Sequence, residues 1–126
     1  MDHRIRGLGS DIIEVERIAA AMRRHGDRFL QRHFTPEEIQ YCISYRDPSE
    51  RVAGRFAAKE AVAKALGTGF QQGVTWLDIA IINDAQGKPE VFLSDKLQEL
   101  VGPVHCLVTI SHCKLYATAT AILLAR

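Results

Sequence analysis

Short apolar runs and longer helical faces succeed one another along the chain. IRGLGSDII predicts a short strand, with Gly7 and Gly9 permitting a close backbone approach or a bulge. Asp11 stands where this strand gives way to EVERIAAAMRRHG, in which Val15, Ile18, Ala19 and Met22 recur at helical spacing and Gly26 is the stop. DRFLQRHF reads as a short helical piece. TPEEIQYCISY opens a further helix, with Thr35 as N-cap, Pro36 at the first helical position and Glu38 completing a capping box. The main helix is predicted over residues 48–66, because SERVAGRFAAKEAVAKAL is rich in strong helix formers and Gly67 supplies a left-handed end. Its many alanines let neighbours approach closely, as suits a central helix packed on several sides. TWLDIAIIND predicts a strand and DAQGKP a hairpin turn into PEVFL. SDKLQELVG predicts a short helix from Ser94, and VHCLVTIS and LYATATAILLA predict two strands joined by HCK. Helices early and a mostly antiparallel sheet late imply an α+β fold, the sheet wrapped around the long central helix.

Composition bounds the class. The 126 residues make one ordinary domain, with 47% apolar and 25% charged residues, as in soluble globular proteins. A formal net charge of +1 gives no sign of a nucleic-acid binder. Three cysteines, Cys42, Cys106 and Cys113, form no CxxC pair and leave an odd thiol, which suits a reducing cytoplasm. MDHRIRGLGSDII carries charges where a secretory segment needs an apolar core. No apolar run approaches the roughly 18 residues of a membrane span.

Candidate chemistry centres on two acids. Asp11 and Glu60 are far apart in sequence and meet only if the first strand packs across the central helix. Unaccompanied, their charges would repel strongly at short range; a divalent cation reverses that sign. Magnesium suits one or two carboxylates completed by water and substrate phosphate, whereas calcium asks for more protein oxygens and zinc for His or Cys groupings that are lacking here. The bland alternative is that Asp11 caps the first helix and Glu60–Lys64 is an i,i+4 pair worth about 0.3–0.5 kcal/mol. Spacing alone leaves both readings open. Arg51, Arg55 and Lys59 recur every four residues, beside a row of Phe56, Glu60 and Lys64. Arg51 and Lys59 are expected to be solvated, while Arg55 and Lys64 flank Glu60 and could hold a phosphate. GTGFQQG follows a helix instead of preceding one, so it lacks the context of a phosphate cradle, and Gly67 is better read as a C-cap. Ser111 and His112 are neighbours on a strand and point to opposite faces, which disfavours a triad. His112 is then either a phosphate- or base-contacting group or a plain turn histidine. Arg17 and Arg24 share a stripe of the first helix, with Arg28 continuing it beyond Gly26; taken alone they are a solvated face.

GLGSDIIEVERI, FLQRHFTPEE, RFAAKEAVAKALGTG, GVTWLDIAIIND with GKP, and VTISHCKLYATA together resemble, in order and spacing, the holo-acyl carrier protein synthases. These form the short, single-repeat branch of the 4′-phosphopantetheinyl transferases. The resemblance spans nearly the whole chain. It implies transfer of phosphopantetheine from coenzyme A to a serine of apo-acyl carrier protein, in support of fatty acid biosynthesis in the cytoplasm. By the same resemblance Asp11 and Glu60 hold Mg2+, and Glu60 and Lys64 are the catalytic groups. Lys64, Arg55 and His112 contact the phosphates of coenzyme A, with Gly87 and Pro89 near its adenine. Ala80 occupies a place often acidic in relatives and is given no role. Arg17, Arg24 and Arg28 become the contact with an acidic carrier protein, and the expected assembly is a homotrimer with sites at subunit interfaces. No nucleic-acid or membrane partner is expected. Two rivals remain: a noncatalytic coenzyme A-binding module working without magnesium, and an RNA-binding protein using the arginine-rich first helices.

Overall fold

The long helix organises the chain. In the computed structural model, which describes residues 4–126, α4 (Ser49–Leu66) is buried on nearly every side, and its alanines are the reason neighbours can close on it. It ends at Gly67, whose φ of 80° and ψ of −2° give the left-handed cap expected from the sequence. Against α4 lies an antiparallel three-stranded sheet of order β1-β5-β4, built from β1 (Ile5–Glu14), β4 (Val104–His112) and β5 (Tyr116–Ala125). A separate antiparallel hairpin, β2 (Ile79–Asn83) and β3 (Pro89–Leu93), packs at another side of the helix. Among the described residues every strand pairing is antiparallel, in keeping with the expected α+β class.

Among the described residues four shorter α-helices accompany it: α1 (Val15–His25), α2 (Asp27–His33), α3 (Pro36–Ile43) and α5 (Asp95–Val101). The Thr35 capping box is present, with the Thr35 N–H donating to Glu38 Oε1 at 2.8 Å and the Glu38 N–H to Thr35 Oγ1 at 3.3 Å. Two boundaries differ from the sequence reading. β1 runs on to Glu14 because β5 pairs with it as far as Tyr116. β2 starts only at Ile79, since Trp76–Asp78 coil into a 3-10 turn capped by Thr75 and Asp78.

The apolar core divides around α4. One part joins Ala57, Ala61 and Ala65 to Ile79, Ile81, Leu97 and Leu123; the other joins Val52 and Ala53 to Val15, Ile18, Phe29 and Phe34. The expectation of a solvated Lys59 is overturned here. Its side chain is 0% exposed, because a helix covered on all sides has no water-facing row there. The ammonium is satisfied instead by Glu38 Oε1 at 2.7 Å, the His33 carbonyl at 2.7 Å and the Trp76 carbonyl at 3.1 Å. Arg51 is half-buried, its guanidinium 4.0 Å from the centre of the Tyr45 ring. All three cysteines are free, and burial pushes the Cys42 and Cys106 thiols up to about 11. The N-terminal reading rests partly on Met1, Asp2 and His3, which lie outside the described residues. Among the described residues no helix is long and apolar enough to cross a membrane.

Candidate active site

A close approach of β1 to α4 builds the first half of the site. A Cβ placed on Gly9 would stand 2.0 Å from the Ala61 carbonyl oxygen, and one on Gly7 2.0 Å from that of Ala65. Only glycine lets β1 lie so near the backbone of α4. Alternate residues of a strand share a face, so Asp11 follows Gly7 and Gly9 onto the helix. There Lys64 reaches across from α4, its Nζ donating to the Ser10 carbonyl at 2.9 Å and to Asp11 Oδ1 at 3.3 Å. The alternative of Asp11 as a helix cap is corrected: Glu14 occupies the N-cap place of α1, and Asp11 sits within β1 opposite Ala119.

Glu60 completes this cluster. Burial and then the negative charge of Asp11 hold its carboxyl above the ordinary glutamate range, with Lys64 partly offsetting them. The Asp11 charge thus disfavours a second negative charge on Glu60, and a cation between the two acids would relieve the repulsion. Among the described residues no group of three or more His, Cys, Asp and Glu side chains could hold a metal. A two-carboxylate set does not fit zinc or calcium, but it fits magnesium completed by phosphate and water.

The second half is a cavity of about 230 Å3 whose walls include Tyr41, Arg55, Asn83, Gly87, Pro89 and His112. Arg55 is only 6% exposed; it donates to Asn83 Oδ1 at 2.8 Å and its guanidinium stands 4.5 Å from the Tyr41 ring centre. Its Nε, though buried, makes no hydrogen bond, the kind of charged donor that an anion satisfies. The His112 Nδ1 lies 2.8 Å from Glu50 Oε1, which fixes the ring at the cavity edge. Asp84 shapes the turn carrying Gly87 and Pro89, its Oδ1 accepting the Gln86 and Lys88 N–H groups at 2.9 Å each. At Gly87 the backbone takes φ 86°, which suits glycine.

Arg55, Gly87, Pro89 and His112, scattered over nearly half the sequence, thus meet in one cavity, while Asp11, Glu60 and Lys64 meet in another place. Lys64 and Glu60 are not among that cavity's walls. Five residues of α-helix separate Arg55 from Glu60, which turns them about 140° apart around the axis. The sequence reading missed Tyr41, Asn83 and Glu50. Tyr41 had a faint signal, since it falls one turn beyond Glu38 on the inward face of α3; Asn83 and Glu50 had none. Arg17 and Arg24 are exposed on α1, and Arg28 is exposed on α2 after the break at Gly26.

Residues 7–121, which include the glycine-seated strand, the acid–lysine cluster and the arginine-bearing cavity, match the model of the 4′-phosphopantetheinyl transferase superfamily. The chain belongs to that superfamily. It is 55% identical to a holo-acyl-carrier-protein synthase of Protochlamydia amoebophila over 92% of this chain and 95% of that protein. Among solved structures it resembles the holo-acyl-carrier-protein synthase of Bacillus anthracis in complex with CoA (3′,5′-ADP), with TM-score 0.84, 37% identity and coverage of 98% and 100% of the two chains. The Helicobacter pylori synthase in complex with coenzyme A gives TM-score 0.85 and 33% identity over 92% of this chain and 98% of that one.

Proposed function

We propose that this chain transfers the 4′-phosphopantetheine group of coenzyme A to a serine hydroxyl of an apo-acyl carrier protein, releasing adenosine 3′,5′-bisphosphate. One observation carries the reading: Gly7 and Gly9 seat β1 so closely on α4 that Asp11 contacts Lys64 and its charge reaches Glu60. Two acids and an ammonium-bearing lysine suit a diphosphate that must be gripped and broken. The full-length likeness to synthases solved with coenzyme A supports the same substrate.

Asp11 and Glu60 would hold a magnesium ion. When bound, it would neutralise charge on the pyrophosphate and on the departing bisphosphate. Lys64 places its ammonium beside Asp11, where it can balance charge that builds on the phosphoryl oxygens. Arg55 offers its free Nε to a phosphate of the nucleotide, His112 contributes from the cavity edge, and Gly87 and Pro89 line the way to the adenine. The serine oxygen forms its bond to phosphorus as the bond to the bisphosphate oxygen breaks. The serine proton leaves as that bond forms, with Glu60 acting through a water as its acceptor.

The site is completed between copies of the chain in a homotrimer. The two halves face different ways around α4, so one chain does not offer both to a single coenzyme A. The outer face of the three-stranded sheet carries a row of Leu8, Ile122 and Leu107 in register, with Leu8 68% and nearby Ile12 66% exposed. Apolar surface of that kind marks an interface. Arg17, Arg24 and Arg28 present positive charge to the acidic carrier protein. The product would serve fatty acid biosynthesis in the cytoplasm.

Incubation with coenzyme A, magnesium and an apo carrier, followed by mass spectrometry of the carrier, tests the proposal. The expected result is a carrier heavier by one phosphopantetheine group. A carrier of unchanged mass, with coenzyme A bound but not consumed, would leave a noncatalytic binding module instead.

A further inference from the structure

The β2–β3 hairpin carries one wall of the arginine cavity, yet it shares no strand pairing with the three-stranded sheet. Its position against α4 is therefore left to side chains. Ile79 and Ile81 pack into the core, but apolar packing is non-directional and does not by itself set the depth or rotation of a hairpin. Directional contacts have to do so, and the buried carboxylate of Glu38 supplies one. Its Oε2 accepts the Ile81 N–H at 2.8 Å, and its Oε1 accepts the Thr35 N–H at 2.8 Å and the Lys59 ammonium at 2.7 Å. Lys59 spends its remaining donors on the His33 and Trp76 carbonyls, the latter in the turn that leads into β2. Both charged side chains are 0% exposed. One ion pair thus ties α2, α3, the turn before β2, and β2 itself to α4.

We infer that Glu38 and Lys59 are positioning residues for coenzyme A, a buried brace that holds the β2–β3 hairpin at a fixed depth over Arg55. Ile81 and Asn83 are alternate residues of β2 and share a face, so the bond to Ile81 governs where Asn83 stands. Asn83 in turn accepts from Arg55, which lies one helical turn before Lys59. A slip of the hairpin would misdirect the guanidinium and move the Gly87 and Pro89 wall together. The acid–lysine cluster, Asp11 on β1 with Glu60 and Lys64 on α4, contains no residue of the hairpin. The inference rests on the transferase reading, because it concerns how that reaction's nucleotide is held.

The brace predicts a split in kinetic constants. Glu38→Asp retains the charge opposite Lys59 but is one methylene too short to reach Thr35, Lys59 and Ile81 at once. It is expected to raise KM for coenzyme A about tenfold with kcat and the KM for carrier protein nearly unchanged. Ile18→Ala, a truncation in the other part of the core, which contains no residue of the hairpin, is the control for simple loss of stability and is expected to leave KM for coenzyme A unchanged. Equal KM values in Glu38→Asp and Ile18→Ala, or a loss in kcat with KM intact, would overturn the brace. Should Glu38→Asp fail to fold, hydrogen exchange on the unaltered protein decides. The Ile81 amide is expected to exchange only through global opening even without coenzyme A, and rapid exchange there would overturn the inference. If the unaltered protein modifies no carrier at all, the transferase reading itself fails, an outcome distinct from either result.

Discussion

Gly9→Ala is the sharpest probe of the strand–helix contact that gathers the acids. The added methyl would meet the Ala61 carbonyl oxygen at 2.0 Å, whereas carbon and oxygen ordinarily stay about 3.3 Å apart. The obstacle is backbone within an 18-residue helix and has no rotamer into which to retreat. β1 must therefore recede by roughly 1.3 Å, the difference between those two distances. Overpacking of this kind costs about 1–3 kcal/mol, which for a domain of this size lowers Tm by several degrees. Asp11 lies two residues along the same strand and moves with it, away from Glu60 and Lys64. A misplacement of about 1 Å costs roughly 100-fold in rate, so kcat/KM is expected to fall by about that factor. Urea denaturation gives the stability loss, read as a lower midpoint at unchanged slope. Carrier modification, followed well below the new Tm, gives the rate. If Gly9→Ala kept wild-type stability and turnover, the claim that glycine is required for the strand to reach the helix would be refuted.

Glu60→Gln is expected to lose turnover by about 100-fold or more while calorimetry finds coenzyme A bound nearly as before. The raised pKa of Glu60 also sets a pH dependence: its contribution to stability is fully present below the ordinary glutamate value and is lost as pH rises through the raised one. Glu60→Gln should therefore be the more stable protein at neutral pH, with the gap closing on acidification, and magnesium should raise Tm in the unaltered protein more than in the variant. Arg17→Glu is expected to raise KM for the carrier several-fold at low salt, against a wild-type KM that itself climbs with ionic strength; constants that ignore both changes would remove Arg17 from the docking surface. Leu8→Asp, which puts a charge in the apolar row of the outer sheet face, should shift sedimentation from trimer to monomer and abolish transfer together, and an active monomer would exclude the shared site.

Elements governed by neighbouring residues were legible in the sequence. Thr35, Pro36 and Glu38 mark the start of α3, and Gly67 marks the end of α4, because a cap is an interaction across three or four residues. Gly7 and Gly9 announced a close approach without saying to what. Lys59 is the instructive miss. Its place in a four-residue row of basic side chains reads as a solvated face, and only the burial of the whole helix shows that it is buried and paired with Glu38. Glu38 was itself half-read, since one oxygen serves the capping box foreseen from spacing while the other holds Ile81, 43 residues away. Asp11 was ambiguous for the same reason: capping and clustering differ only in what lies across from it.

By itself the amino-acid order determined the helices, their ends, the α+β class and the short list of acids and bases able to handle a diphosphate. Tertiary structure alone decided that Asp11 meets Lys64 and Glu60 across the β1–α4 contact, that Arg55 turns to Asn83 and Tyr41 on another side of α4, and that Lys59 is sealed in the core. The reason is range. Capping and periodicity act over one helical turn, whereas burial and charge pairing depend on which distant surfaces cover a residue, and that is settled only when the whole chain has packed.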